Sequence, residues 1–199
     1  MKVIGITGSL ASGKSEVADI FRRKGAQVFD ADTAARRALA KGTPTYAAVL
    51  KLFGRGYLKK GGRIDRKKLA WHVFSNPADL RKLNILIHPG VIFDCLKVIS
   101  RHRRRKGLLV LDVPLLFESH MQNLGDCTVV VTAGRRRILE RARAKGIPGE
   151  LARKILSTQW PLSKKVRQAD FVIRNDGSKR DLEKQVLAVI QKIQTSSGQ

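Results

Sequence analysis

Short, nearly uninterrupted apolar runs alternate along this chain with segments in which apolar residues recur every three or four positions. The first pattern is typical of strands buried on both faces of a parallel sheet, and the second of amphipathic helices. The apolar runs predict five strands, at residues 3–6, 26–29, 108–111, 128–131 and 171–173. Their alternation with helical segments predicts an α/β fold in which helices cover both faces of a parallel sheet.

The spacing between the predicted strands indicates two helical additions to this core. About 75 residues separate the second strand from the third, too many for a simple crossover, and residues 60–106 carry helical apolar spacing. Residues 135–160 are rich in arginine and predict a helical lid over phosphates or, alternatively, an exposed basic helix pair. The expected domains are a nucleotide-binding core (1–59, 107–134 and 161–199), an insertion (60–106) and a lid (135–160).

A glycine-rich loop follows the first strand and opens a predicted helix over residues 14–24. It matches the pattern G-x-x-x-x-G-K-[ST], a phosphate cradle in this strand–loop–helix context. The lysine is expected to reach the β- and γ-phosphates of a nucleoside triphosphate, and the serine hydroxyl to bind Mg²⁺. The residues concerned are Gly8, Ser9, Leu10, Ala11, Ser12, Gly13, Lys14 and Ser15, with Glu16 directly after them.

Carboxylates follow two of the predicted strands. Asp30 and Asp32 end the second strand, and if the segment is extended both side chains point to one site, where one of them can accept a proton from an attacking hydroxyl. The alternative is that Asp30 caps the next helix and Asp32 is solvated. Asp112 ends the most hydrophobic strand, a position suited to holding Mg²⁺.

The net charge and the two cysteines limit the partners and the cellular compartment that we expect for this chain. The chain has 40 Lys and Arg against 16 Asp and Glu, a net charge of +24 that attracts polyanions. Zinc-finger, leucine-zipper and aromatic-interleaved basic patterns are absent, so a specific nucleic-acid partner is not expected. Cys95 and Cys127 lie far apart, which predicts reduced thiols in a cytoplasmic protein. No uninterrupted apolar stretch approaches about 20 residues, so no membrane partner is expected.

Several motifs together resemble those of the dephospho-CoA kinases. They run through most of the chain, and their combination in this order is highly specific although each alone is not. The matching segments are the glycine loop, Asp30-Ala31-Asp32 with Ala35-Arg36, Phe53-Gly54, Asp65-Arg66, Leu69, Phe74, His88-Pro89, the segment Asp112-Val113-Pro114-Leu115-Leu116-Phe117-Glu118, Gln159, Ala169-Asp170 and Asn175 with Gly177.

The resemblance implies a P-loop NTPase fold of three layers and a reaction between ATP, Mg²⁺ and dephospho-CoA. The γ-phosphoryl group would pass to the ribose 3′-hydroxyl, with Asp32 as general base and Lys14 and Arg141 neutralising phosphate charge. Asn175 would lie near the adenine of ATP. The residues expected to contact dephospho-CoA are Asp32, Arg36, His88, Pro114 and Leu115, and those expected at the metal are Ser15 and Asp112.

The chain departs from the family pattern in the lid. Where the family has two arginines four residues apart, this chain has Arg141 and Lys145, and lysine cannot make the planar bidentate contact of arginine. Arg143 is the alternative phosphate contact. Two other functions stay open, another small P-loop nucleoside or nucleotide kinase and a basic nucleic-acid-binding ATPase; the oligomeric state also stays open. The polar tail at residues 195–199 is expected to fray.

Overall fold

Five parallel strands form one sheet in the order β2-β3-β1-β4-β5. The computed structural model describes residues 1–195, so the predicted frayed tail lies outside the described residues except for Thr195, which ends a helix. All five predicted strands are present, four of them extended beyond the predicted bounds. The strands are β1 (Lys2–Gly8), β2 (Gln27–Asp30), β3 (Leu108–Asp112), β4 (Cys127–Thr132) and β5 (Phe171–Arg174).

Nine α-helices occur in residues 1–195, together with two short 3-10 turns. The helices are α1 (Lys14–Arg23), α2 (Ala31–Ala38), α3 (Pro44–Phe53), α4 (Arg66–Ser75), α5 (Pro77–His102), α6 (Arg135–Ala144), α7 (Gly149–Thr158), α8 (Leu162–Arg167) and α9 (Lys179–Thr195). They cover both faces of the sheet. The predicted parallel sheet between two helical layers is therefore confirmed.

Each face of the sheet has its own apolar core. On one face, Ile4 and Ile6 of β1 pack with Phe21 of α1 and with Val186 of α9. On the other, Leu109 and Leu111 of β3 share a core with residues of the helices inserted between β2 and β3, namely α2, α3, α4 and α5. Alternate side chains of one strand point to opposite faces, so the continuous apolar runs supply both cores at once.

Polar side chains that bond the first backbone amides of a helix fix where two of the inserted helices begin. Asp65 Oδ1 accepts hydrogen bonds from the amides of Lys67 (3.1 Å) and Lys68 (3.2 Å) at the start of α4. Asn76 Oδ1 accepts from the amide of Ala78 (3.1 Å), and Pro77 takes the first position of α5, where its missing N–H costs nothing. Helical structure already begins at Ala31, and the boundary at residue 60 stays a prediction.

Helix α5 differs from the sequence-based expectation. It runs through Pro89 as one helix of 26 residues, and within residues 1–195 it alone is long and apolar enough, by length and composition, to cross a membrane. Scattered polar residues break its apolar runs, so a search for uninterrupted stretches missed it. In the structure α5 packs against α2, α3, α4 and β3.

Both cysteines are free thiols. Cys95 is buried in the core on α5, and Cys127 is half-buried at the start of β4. Burial raises the pKa of Cys95 to about 12 and, with the nearby charges of Asp170 and Asp126, that of Cys127 to about 11.

Candidate active site

Strand register brings the functional segments to one edge of the sheet. Ile6 of β1 is paired with Asp112 of β3, and Asp112 is paired in turn with Asp30 of β2. Because parallel strands end at the same edge, the glycine loop after β1 lies beside both carboxylates. This edge is where ligands bind in open parallel sheets.

The glycine loop joins β1 directly to α1, and its backbone needs glycine at two positions. Gly13 has φ +95°, a conformation that side chains disfavour, and an ideal Cβ there would overlap Nδ2 of Asn175. A Cβ at Gly8 would overlap the carbonyl oxygen of Val131. The loop therefore follows a path that only these glycines allow. Ser12 N donates to the carbonyl oxygen of Ser9 at 3.2 Å within it.

Two residues from distant segments brace the loop through one carbonyl oxygen. Ser12 O accepts hydrogen bonds from Asn175 Nδ2 (3.0 Å) and from Arg141 Nη1 (3.3 Å), while Arg141 Nη2 donates to Asn175 O (3.0 Å). Asn175 is buried. Both residues were predicted to contact nucleotide, and in the structure both support the loop that would hold it.

Lys14 and Asp112 form a buried ion pair at the start of α1. Burial raises the pKa of Asp112, an effect that the positive charge of Lys14 opposes without cancelling and that the charges of Asp30 and Asp32 strengthen. Asp112, predicted as a metal ligand, is thus engaged with the loop lysine.

Asp30 and Asp32 occupy different environments because a helix, not an extended segment, begins at Ala31. Asp30 caps α2: it accepts hydrogen bonds from Thr33 N (3.1 Å) and Thr33 Oγ1 (2.7 Å). Burial raises the pKa of Asp30, but these bonds and the charge of Lys14 outweigh it, and the pKa lies below its usual value. Asp32 is exposed in the first turn and faces a cavity.

The cavity has a volume of about 520 Å³ and touches the glycine loop, α2, α5, the segment after β3 and the lid region. Its lining includes most residues that the sequence singled out. From the loop these are Ser9, Leu10, Ala11, Ser12, Gly13, Lys14 and Ser15; from elsewhere they include Asp32, His88, Pro114, Leu115, Glu118, Lys145 and Gln159. Asn84, Ile87, Val91 and Thr158, which the sequence did not single out, also line the cavity. A predicted phosphate cradle and a predicted acceptor site therefore share one space.

Several predicted site residues lie outside the cavity lining. Arg36 is exposed on α2, and Arg143 is exposed on α6. Glu16 lies in the first turn of α1. Of the lid candidates for a phosphate contact, Lys145 lines the cavity. His88 does so too, and burial lowers its pKa below the usual value, so its imidazole is neutral near pH 7.

One buried network was not predicted. Lys165 on α8 is fully buried and donates from Nζ to Glu118 Oε1 (2.8 Å) and to Pro114 O (3.1 Å). Glu118 Oε1 also accepts a hydrogen bond from the amide of Trp160, the last residue of the predicted lid (2.8 Å). The sequence singled out Glu118 but missed Lys165, because the adjacent pair Lys164-Lys165 has no feature that separates a buried lysine from a solvated one.

A second contact joins the loop to the lid region. Gln159 Oε1 accepts a hydrogen bond from the amide of Leu10 at 3.2 Å. Gln159 follows α7 directly and precedes Trp160, so the end of the lid is bonded both to the tip of the loop and to the Glu118 network.

Comparison with known proteins agrees with this geometry. A protein-family model described as dephospho-CoA kinase matches residues 2–181. A dephospho-CoA kinase from Geobacillus kaustophilus is 40% identical over 192 residues, covering 94% of each chain. The chain belongs to the dephospho-CoA kinase family.

Solved structures agree with this assignment. TT1252 from Thermus thermophilus superposes with a TM-score of 0.79 at 34% identity, covering 96% of this chain and 97% of that one. A dephospho-CoA kinase from Campylobacter jejuni gives a TM-score of 0.71 at 28% identity and covers 98% of each chain. Membership in the dephospho-CoA kinase family makes this chain a kinase with the predicted P-loop fold, and the resemblance noted from the motifs is confirmed.

Whether the site of this dephospho-CoA kinase can hold Mg²⁺ depends on the oxygen donors that its residues supply. Within residues 1–195 no group of three or more His, Cys, Asp and Glu side chains is placed to hold a metal. Mg²⁺ in phosphoryl-transfer sites takes one or two protein oxygens and completes its shell with phosphates and water. The hydroxyl of Ser15 and the carboxylate of the nearby Asp112 are protein oxygens of this kind. In the loop, the buried hydroxyls of Ser9 and Ser12 have no partner, as expected where a ligand supplies one.

Proposed function

We propose that this enzyme transfers the γ-phosphoryl group of ATP to the ribose 3′-hydroxyl of dephospho-CoA, giving coenzyme A and ADP, the final step of coenzyme A synthesis. One observation supports it most: a single cavity touches the glycine loop at one side and Asp32 at another. Donor phosphate and acceptor hydroxyl can therefore meet without crossing solvent. We also propose that the enzyme acts in the cytoplasm.

The glycine loop is the proposed site for the phosphates of ATP. Its backbone, held by Asn175 and Arg141, presents amides around the N-terminus of α1, where the helix dipole favours an anion. Lys14 would leave Asp112 for the β- and γ-phosphates. Glu16 and Asn175 are the other residues proposed to bind ATP.

Ser15 and Asp112 are the proposed protein ligands of Mg²⁺. The ion, when bound, neutralises charge that develops on the phosphates. Lys14 and Asp112 are paired, so release of Lys14 to the phosphates would also free the carboxylate of Asp112 for this task.

Asp32 is the proposed general base. Its carboxylate is exposed to the cavity and, within residues 1–195, makes no hydrogen bond that would compete with a substrate hydroxyl, unlike the capped Asp30. It would orient the 3′-hydroxyl and accept its proton. The proposed contacts for the rest of dephospho-CoA are His88, Pro114 and Leu115 in the lining, with Arg36 at the exposed side of α2.

Residues 60–106 form the proposed substrate-binding insertion and residues 135–160 the proposed lid. The lid brings two cations to the site: Arg141, which contacts the loop carbonyl of Ser12, and Lys145, which lines the cavity. On closure these charges would stabilise the transferring phosphoryl group. The remaining residues form the nucleotide-binding core.

A coupled assay of ADP formation tests the proposed reaction. Purified enzyme with Mg·ATP should form ADP when dephospho-CoA is added, and mass spectrometry should find coenzyme A in equal amount. Adenosine and nucleoside monophosphates, offered as alternative acceptors, should give little turnover. Turnover with those compounds but not with dephospho-CoA would overturn the acceptor, and ATP hydrolysis stimulated by RNA or DNA would indicate a nucleic-acid-dependent ATPase.

A further inference from the structure

The outward side of α5 carries a stripe of exposed large apolar residues. Ile85 is 71% exposed, Phe93 58% and Leu96 45%. At about 100° per residue, Phe93 and Leu96 lie within about 80° and 20° of Ile85 around the helix axis. They therefore form one surface, here called the α5 outer face, rather than scattered single contacts. Contiguous exposed apolar surface of this kind marks an interaction site.

The opposite side of α5 anchors the helix to the protein. Leu83, Ile87, Val91 and Cys95 are buried in the core beneath it. Other apolar residues of α5, among them Ile92 and Val98, are only partly buried against the same core. This helix thus has more apolar surface than its own core covers, and it is held so that the excess faces outward.

Cations border the α5 outer face. Its C-terminal end leads into Arg101-His102-Arg103-Arg104-Arg105-Lys106, whose arginines and lysine are all exposed. Lys97 Nζ lies 4.1 Å from the ring centroid of Phe93. The one carboxylate in the middle of the helix, Asp94, lies about 180° from Ile85 around the axis. The surface is therefore apolar in its middle and basic at its side and end.

We propose that the α5 outer face docks on the surface of an anionic lipid bilayer. The side chains of Ile85, Phe93 and Leu96 enter the boundary between headgroups and acyl chains, and the basic run meets headgroup phosphates. The net charge of +24 attracts the whole chain to the same surface. This departs from the expectation of no membrane partner, which rested on the absence of a spanning segment and does not bear on a peripheral contact.

Two other binding partners, a nucleic acid and a second copy of the chain, match the α5 outer face less well than a bilayer does. A nucleic acid would use the arginines but leaves Ile85, Phe93 and Leu96 without a role. A second copy of the chain would cover the apolar residues, but it would bring another +24 surface close and oppose cations with cations. A bilayer with anionic headgroups satisfies both the apolar and the charged parts of the face.

The cavity and the α5 outer face adjoin on one helix. Ile87 and Val91, which line the cavity, lie about 160° and 120° from Ile85 around the helix, but His88 and Ile92, which also line it, lie about 60° and 20° away. Vesicle binding, rather than turnover, is therefore the readout of docking.

Co-sedimentation of the full-length chain with vesicles tests the proposal. Vesicles of phosphatidylcholine mixed with phosphatidylglycerol should retain the protein, vesicles of phosphatidylcholine alone should retain little, and added salt should weaken binding. The double variant Ile85→Ser, Phe93→Ser and the triple variant Arg103→Gln, Arg104→Gln, Arg105→Gln should each lower the partition coefficient about tenfold or more. Thermal melts should stay near those of the unaltered chain.

A matched triple variant separates a defined surface from general charge. Lys179→Gln, Arg180→Gln and Lys184→Gln remove the same charge from exposed positions of α9, on the other helical layer, and should bind vesicles within about threefold of the unaltered chain. An equal loss in this control would overturn the proposal.

Three further results would also overturn it. The first is no retention of the unaltered chain by anionic vesicles at low salt. The second is full vesicle binding by the serine double variant together with tight RNA binding that the arginine variant alone loses. The third is a dimer in analytical ultracentrifugation that the serine double variant abolishes.

Discussion

Lys165 Nζ lies 2.8 Å from Oε1 of Glu118, and the two side chains are 1% and 13% exposed. The pair joins α8 to the segment after β3 and, through the amide of Trp160, to the end of the lid region. Removal of one partner would leave the other charge buried and unpaired, which costs more than the pair itself contributes.

Lys165→Met should therefore lower the free energy of unfolding by about 3–5 kcal/mol, measured by urea denaturation. The neighbouring Lys164→Met is a matched control, because Lys164 is exposed and contacts only the face of the Trp160 ring; it should cost less than about 1 kcal/mol. The double variant Glu118→Gln, Lys165→Met should recover part of the loss. Equal stability of the two methionine variants would contradict the role of the pair.

Gly13→Ala should damage the glycine loop in two ways. The φ of +95° disfavours any side chain by about 1–2 kcal/mol, and the new methyl group would overlap Asn175 Nδ2. We expect weaker ATP binding, measured by calorimetry, as well as a lower melting temperature. Gly25→Ala is the control, because Gly25 has φ +89° with open space around it. Gly25→Ala should lower the free energy of unfolding by a similar amount, because its φ is also positive, but it should bind ATP normally. Normal ATP binding by Gly13→Ala would show that the loop tolerates a different path.

Asp32→Asn should reduce turnover by about 10²–10⁴ while ATP affinity stays within about twofold, because the amide keeps the shape but cannot take the proton. Asp30→Ala is the comparison variant. It removes the cap of α2 and should cost about 1 kcal/mol of stability with a smaller effect on turnover. If Asp32→Asn keeps turnover within about tenfold of the unaltered enzyme, another group takes the proton.

His88 should make stability fall as the pH drops from neutral. Burial lowers the pKa of His88 in the folded chain, so below about pH 6.5 the unfolded chain binds this proton more readily than the folded one. The resulting loss grows until the pH passes below the folded pKa. The free energies of unfolding of the unaltered chain and of His88→Gln, measured by denaturation between pH 8 and pH 5, should converge as the pH falls. A constant difference across that range would contradict the assignment.

The strands and the glycine loop were predictable because their signals are local. A run such as Leu108–Asp112 is apolar at successive positions whatever lies around it, and Gly8 to Ser15 follows β1 in the same stretch of chain. The family followed from several such local segments in a fixed order.

Contacts between distant segments were not predictable in the same way. Lys14 and Asp112 are 98 residues apart, and their pairing depends on the strand register that brings β3 beside β1. Of the two geometries left open at Asp30 and Asp32, the structure shows the helix cap: Asp30 bonds the amide of Thr33, and the strand pattern alone could not decide between this cap and an extended segment. Lys165 is buried because α8 packs against β4 and the segment after β3, which nothing near it in the sequence indicates.

The two native thiols offer a practical advantage. With pKa values of about 12 and about 11, Cys95 and Cys127 hold less than about one thiolate in a thousand molecules near pH 7.5. An exposed cysteine placed on the lid by Arg143→Cys would react with a maleimide dye far faster than either. Movement of the proposed lid, residues 135–160, can therefore be tested by fluorescence from one engineered label, with both natural cysteines left in place.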